Sequence, residues 1–152
     1  MTAVDPMFVF VVHHADAVDP SVDPRRPLSA AGLAHAEALA GLAHERGAAP
    51  AVIWHSGKLR ARQTAEWFLR RCNPMAGFKA VRGLLPADPP LWVHNAILLE
   101  DHDVLIVGHM PNLGRLAEQL GAPEPMPPHG MMAFERTGDA QFTWRWSSPG
   151  PR

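Results

Sequence analysis

Met7-Phe8-Val9-Phe10-Val11-Val12-His13-His14 runs through Phe and Val with no polar interruption and then stops at two histidines. Such a run is the mark of a strand buried on both faces of a parallel sheet. Two later runs end in the same manner: residues 51–54 stop at His55, and residues 103–107 stop, after Gly108, at His109. Helical patterns separate them. Ser29 is placed to cap a helix over 30–46 that carries Leu33, Ala36, Leu39, Ala40 and Ala43 on one face and is stopped by Gly47. Residues 58–72 repeat Ala61, Ala65, Phe68 and Leu69 at helical spacing, and Asp88 can cap a helix over 90–99. A further helix is expected over 111–120, a short strand over 78–81, and an antiparallel hairpin over 131–135 and 141–146. Alternation of this kind predicts an α/β fold: a single-domain three-layer sandwich on a mainly parallel sheet with an antiparallel edge. Residues 1–152 read as one domain, with 1–6 and 147–152 as loose tails.

With 14 basic and 15 acidic side chains and a net charge of −1, no whole-protein field favours nucleic acid or an anionic membrane. Any anion site must therefore be local. Cys72 is the lone cysteine, which rules out an internal disulfide framework, and residues 1–6 lack the basic start and apolar run of a signal peptide. No apolar stretch is long enough to span a bilayer. These features predict a cytoplasmic protein with no nucleic-acid or membrane partner; they leave the oligomeric state open.

Parallel sheets bind ligands beyond the carboxyl ends of their strands, and right-handed crossovers bring those ends to one rim. His13, His14, His55 and His109 are therefore expected to share a rim. Arg60 lies in the first turn of its helix, where its guanidinium and free backbone N–H groups can share one anion. Arg26 can reach the same rim, on a backbone that Pro27 is expected to hold extended. Arg62, Arg70, Arg71 and Arg25 read as solvated, and His94, His102 and His129 have no positional claim on the rim. A zinc site from His13, His14, His55 and His109 is a rival reading, opposed by the nearby arginines.

These pieces resemble the histidine phosphatase superfamily, with its phosphoglycerate-mutase-like fold, and above all its short SixA-like phosphohistidine phosphatases. Val12-His13-His14-Ala15-Asp16 is similar to the family's Arg-His-Gly motif, and Arg26-Pro27-Leu28-Ser29 to its Arg-Pro-Leu-Thr/Ser. Ser56 to Thr64 (SGKLRARQT) and Val107-Gly108-His109-Met110-Pro111 resemble two further motifs in the same order. Two positions depart from the pattern: His13 stands in place of the phosphate-gripping arginine, and Gly57 in place of a proline.

By position, the resemblance makes His14 the nucleophile, His109 the second catalytic histidine, and Arg26 and Arg60 phosphate ligands, with His13 a further phosphate contact. Asp88 is the nearest candidate for a general acid, and no metal or other cofactor is implied. The resemblance implies a phosphatase working through a phosphohistidine intermediate, on protein phosphohistidine or on small phosphate esters. A degenerate member that binds phosphate or a phosphorylated partner with little turnover is the alternative. An imidazole at position 13, unlike arginine, would titrate with an ordinary pKa near 6.5. Phosphate binding is on that ground expected to strengthen as pH falls.

Overall fold

The structure, a computed structural model, describes residues 6–151. Strands β1 (Met7–His13), β2 (Val52–His55), β3 (Gly77–Ala80), β4 (Val104–Gly108), β5 (Met131–Arg136) and β6 (Phe142–Ser148) form one sheet in the order β3-β2-β4-β1-β5-β6. The β1/β4, β2/β4 and β2/β3 pairs are parallel, whereas β5 runs antiparallel to β1 and β6 antiparallel to β5. The expected parallel sheet with an antiparallel edge is thus present. Strand β6 continues through Ser147 and Ser148, the latter buried, so this part of the expected C-terminal tail is sheet. Of the expected N-terminal tail only the exposed Pro6 lies within the described residues.

Alternation along β1 sorts the core into two halves. Val9 and Val11 join Val104 and Ile106 beneath α3 (Pro90–Leu98) and α4 (Asn112–Gln119), which contribute Val93, Ile97, Leu113 and Leu116. Phe10 and Val12 join Leu105 and Val107 on the other face, beneath α1 (Ala30–Glu45) and α2 (Leu59–Cys72) with Leu39, Ala40, Ala61, Ala65 and Phe68. Helices on both faces explain why β1, β2 and β4 carry no polar residue before the histidines that end β1 and β2. Leu33, expected on the buried face of α1, is instead 40% exposed.

Two caps can be checked atom by atom. The Ser29 hydroxyl accepts the Gly32 N–H at 3.0 Å, as its position predicts. Asp88 does not cap α3. Its carboxylate accepts the Leu85 N–H at 3.0 Å within the preceding turn, and Pro89 occupies the cap position without a side-chain bond. Among the described residues no helix is long and apolar enough to cross a membrane.

Candidate functional site

Register places the chemistry. His13 pairs with Gly108 and His55 with Val107, so β1, β2 and β4 end level with one another. His14 and His109 each follow directly, and the His14 N–H donates to the Gly108 carbonyl at 3.1 Å. Their rings lie 5.0 Å apart, centroid to centroid. Both are buried, at 9% and 2% exposure, so only a small share of either ring meets solvent.

Each ring is held by a different hydrogen bond, and those of His14 and His13 assign the tautomers. His14 Nδ1 lies 2.7 Å from the Ala15 carbonyl, which can only accept; Nδ1 therefore carries the proton and Nε2 keeps its lone pair. His13 Nδ1 accepts the His129 backbone N–H at 2.8 Å, so in neutral His13 the proton is on Nε2, available to donate. His109 Nε2 lies 2.7 Å from the Ser56 hydroxyl, which itself accepts the Lys58 N–H at 3.2 Å. That hydroxyl can donate to Nε2 or accept from it; His109 Nδ1 is buried with no partner among the described residues, and it carries the ring proton when the hydroxyl donates.

The arginines complete the cluster. Arg60 occupies the first turn of α2, and its Nε is buried without a partner among the described residues. A desolvated donor left unpaired costs about 1–3 kcal/mol, and a bound anion would relieve that cost. Arg26 donates from Nε to the Val18 carbonyl at 3.0 Å. Its backbone has φ +51°, in the left-handed region, so the extended conformation expected from Pro27 is not the one adopted. Both guanidiniums act electrostatically on His14.

Burial and these charges keep the histidines neutral. Burial above all, then His14, His129 and Arg60, push the His13 pKa down to about 3. His14 is lowered to about 4, chiefly by burial, against the opposing bond to Ala15 and with help from Arg60, His129 and Arg26. Burial, His14, Arg60, Lys58 and His13 bring His109 to about 3. His13 therefore does not titrate near 6.5, and charging it would cost its Nδ1 lone pair, already taken by the His129 amide. The expected pH dependence through His13 is corrected accordingly.

Three more expectations change. His55 ends β2 level with the others, but its ring packs on Phe78 at 5.0 Å and its Nδ1 accepts the Gly57 N–H at 3.0 Å. The charges acting on it are Arg62 and Glu66 rather than the site residues, which removes it from the expected cluster and from the zinc reading. That bond also explains Gly57, whose φ of +93° and donated N–H are both closed to proline. His129, given no place on the rim, stacks on His13 with centroids 4.8 Å apart and planes within 6°. Asp88 makes no hydrogen bond to the site histidines among the described residues; its own backbone carbonyl accepts from Asn112 Nδ2 at 2.9 Å.

Nitrogens of His13, His14 and His129 lie within 4.8 Å of one another, close enough to suggest a metal. The tautomers argue otherwise, because neutral His13 offers an N–H there and not a lone pair. What the cluster offers instead is two imidazole lone pairs, on His14 Nε2 and His129 Nε2, among N–H donors and two guanidiniums. Chemically, that is a nucleophile inside an anion cradle.

Side chains whose roles the sequence did not disclose brace this cradle. Thr64 Oγ1 accepts the Ala15 N–H at 3.0 Å and donates to the Arg60 carbonyl at 2.8 Å, tying the loop after β1 to the start of α2. Gln63 Oε1 accepts the Leu28 N–H at 2.7 Å and anchors the segment that carries Arg26.

Comparison with solved structures identifies the architecture. A structure of the protein histidine phosphatase SixA complexed with tungstate matches with TM-score 0.84 and 24% identity, over 94% of this chain and 97% of that one. A SixA structure from Agrobacterium tumefaciens matches with TM-score 0.79 and 22% identity, over 94% and 97%. The phosphoglycerate mutase of Plasmodium falciparum matches with TM-score 0.71 and 15% identity, over 97% and 93%. No protein-family model matches the sequence, and no curated protein does. The chain has the phosphoglycerate-mutase-like fold that these structures share.

Proposed function

We propose that the chain is a phosphatase in which His14 Nε2 attacks phosphorus, and that its substrate is a phosphorylated protein, phosphohistidine before a phosphate ester. The observation that carries this reading is the orientation of His14: Nδ1 is committed to the Ala15 carbonyl, so the free lone pair is on Nε2. Its pKa of about 4 keeps that lone pair unprotonated at neutral pH. Tungstate, the ligand in the SixA structure, is a tetrahedral oxyanion and so the same shape as phosphate.

In the first step the Nε2–P bond forms as the bond to the leaving group breaks, and the leaving group departs with the electron pair. Arg60, Arg26, His109 Nδ1–H and His13 Nε2–H are the donors proposed for the equatorial oxygens. Water then attacks phosphorus and loses a proton to solvent, the N–P bond breaks, and its electron pair returns to Nε2. A phosphohistidine substrate leaves as a neutral imidazole once protonated, which makes a dedicated acid dispensable. Asp88 stays the proposed carboxylate for ester substrates.

Neutral His13 in place of a permanent cation favours a second reading, a phosphate-binding module with little turnover. Turnover of a phosphohistidine peptide and of an aryl phosphate separates the two. The phosphatase reading expects hydrolysis of the peptide that disappears in His14→Ala. Phosphate binding with no hydrolysis of either compound would establish the binder.

A further inference from the structure

His13 and His129 are stacked imidazoles with opposite hydrogen-bond polarity. His13 Nδ1 accepts a backbone N–H, so a second proton on that ring would break the bond. His129 Nδ1 lies 2.7 Å from the His14 carbonyl, which can only accept, so Nδ1 already donates and Nε2 is free. A proton added at His129 Nε2 breaks nothing, because an imidazolium donates from both nitrogens. The ring itself is in range, its centroid lying 4.8 Å from that of His13 and 5.8 Å from that of His14. The loop is also fixed in place: His35 Nε2 meets the His129 carbonyl at 3.0 Å, and the His13 N–H donates to the Gly130 carbonyl at 3.0 Å.

We infer that His129 is the switchable cation of the phosphate site: when a tetrahedral dianion binds, His129 Nε2 takes a proton from solvent and donates it to the anion. The charge an arginine would carry at position 13 is thereby supplied from the stacked ring on a different loop, while His13 contributes a neutral N–H. This rests on the phosphate site proposed above.

The surroundings of His129 bear on both charge states. Beside the ring stand the neutral His13 and His14, with the permanent cations Arg60 and Arg26 acting on His14. Asp16 shares a groove with His129 and with His35 of α1. A dianion beside Nε2 then tips the balance, since an opposite charge within about 4–6 Å stabilises the protonated form.

Sulfate is the probe, because it keeps its two charges across the range in which histidine titrates. Its affinity should be measured by calorimetry from about pH 6 to about pH 9, and the imidazole nitrogens of each histidine followed by NMR with and without sulfate. Between the pKa of His129 in the free protein and its higher value in the complex, affinity should fall by up to about tenfold per pH unit, as required where binding takes up one proton. Asparagine tolerates the left-handed backbone at position 129, where φ is +55°. His129→Asn should therefore fold, bind sulfate more weakly at low pH and show no slope, whereas His35→Gln should keep the slope. In the unaltered protein, sulfate should convert His129 and leave His13 neutral. A slope that survives in His129→Asn, or NMR showing that sulfate protonates His13 or neither ring, overturns the inference while leaving the phosphate site standing. Absence of sulfate binding at every pH overturns the site and the inference together.

Discussion

Replacing Arg60 with alanine separates a functional cation from a structural one. Its Nε is buried and unpaired among the described residues, and burial together with Arg26 lowers its pKa. Both are penalties in the ligand-free state. Removing the side chain should therefore leave the melting temperature of the free protein unchanged or higher, since an unsatisfied buried donor costs about 1–3 kcal/mol. Binding should respond in the opposite sense. A charge-assisted hydrogen bond contributes about 1.5–3 kcal/mol, so losing one weakens sulfate by about tenfold to a hundredfold, and losing a bidentate pair by more. A third consequence is electrostatic: Arg60 depresses His13, His14 and His109 together, so Arg60→Ala should move the acid limb of turnover to higher pH. Arg70→Ala is the control, because Arg70 is exposed and lies over the Trp67 ring at 5.1 Å. Calorimetry with sulfate, thermal melts and a pH–rate profile measure the three effects. If Arg60→Ala binds sulfate as the unaltered protein does, or loses melting temperature in step with affinity, the role assigned to Arg60 is wrong.

Two other outcomes are expected. Ser56→Ala removes the 2.7 Å bond to His109 Nε2 and frees that ring to take either tautomer; turnover should fall a few-fold to about tenfold, with Ser56→Thr restoring it. Stability should fall in acid, because His13, His14 and His109 have pKa values lowered from 6.5 to about 3, 4 and 3. Below about 6.5 the unfolded chain binds protons that the folded one refuses, so stability is fully present above that pH and is lost as pH falls toward about 3. Each ring removes about 1.4 kcal/mol per unit of that window at most. Denaturant unfolding at about pH 7 and about pH 5 checks this, and equal midpoints would contradict it.

The sequence disclosed this fold well because its information lay in local runs. Polar-free strands ending in histidine, a serine at a helix start and a glycine after a helix end each act through neighbours a few positions away. The level ends of β1 and β4 then follow from parallel pairing, which is why His14 and His109 could be placed beside one another from the chain alone. Ring direction was not legible. His55 shares the rim, but its Nδ1 is captured by the Gly57 N–H, a preference visible only once the turn is known. His129 was hidden for a different reason: it sits in a proline-rich connection more than a hundred residues from His13, and nothing in its surroundings signals that its amide will pair with that ring. Arg26 adopted a left-handed backbone against the bias exerted by Pro27, with its guanidinium tied to the Val18 carbonyl.

The central claim is that His14 Nε2 becomes phosphorylated, and brief exposure of the protein to a phosphohistidine peptide followed by rapid quenching tests it most directly. Phosphohistidine is labile in acid and stable in base. The account predicts a label on His14 with that chemistry, absent from His14→Ala and enriched when the release of phosphate is slowed. A label that survives acid, or that persists undiminished in His14→Ala, would contradict it.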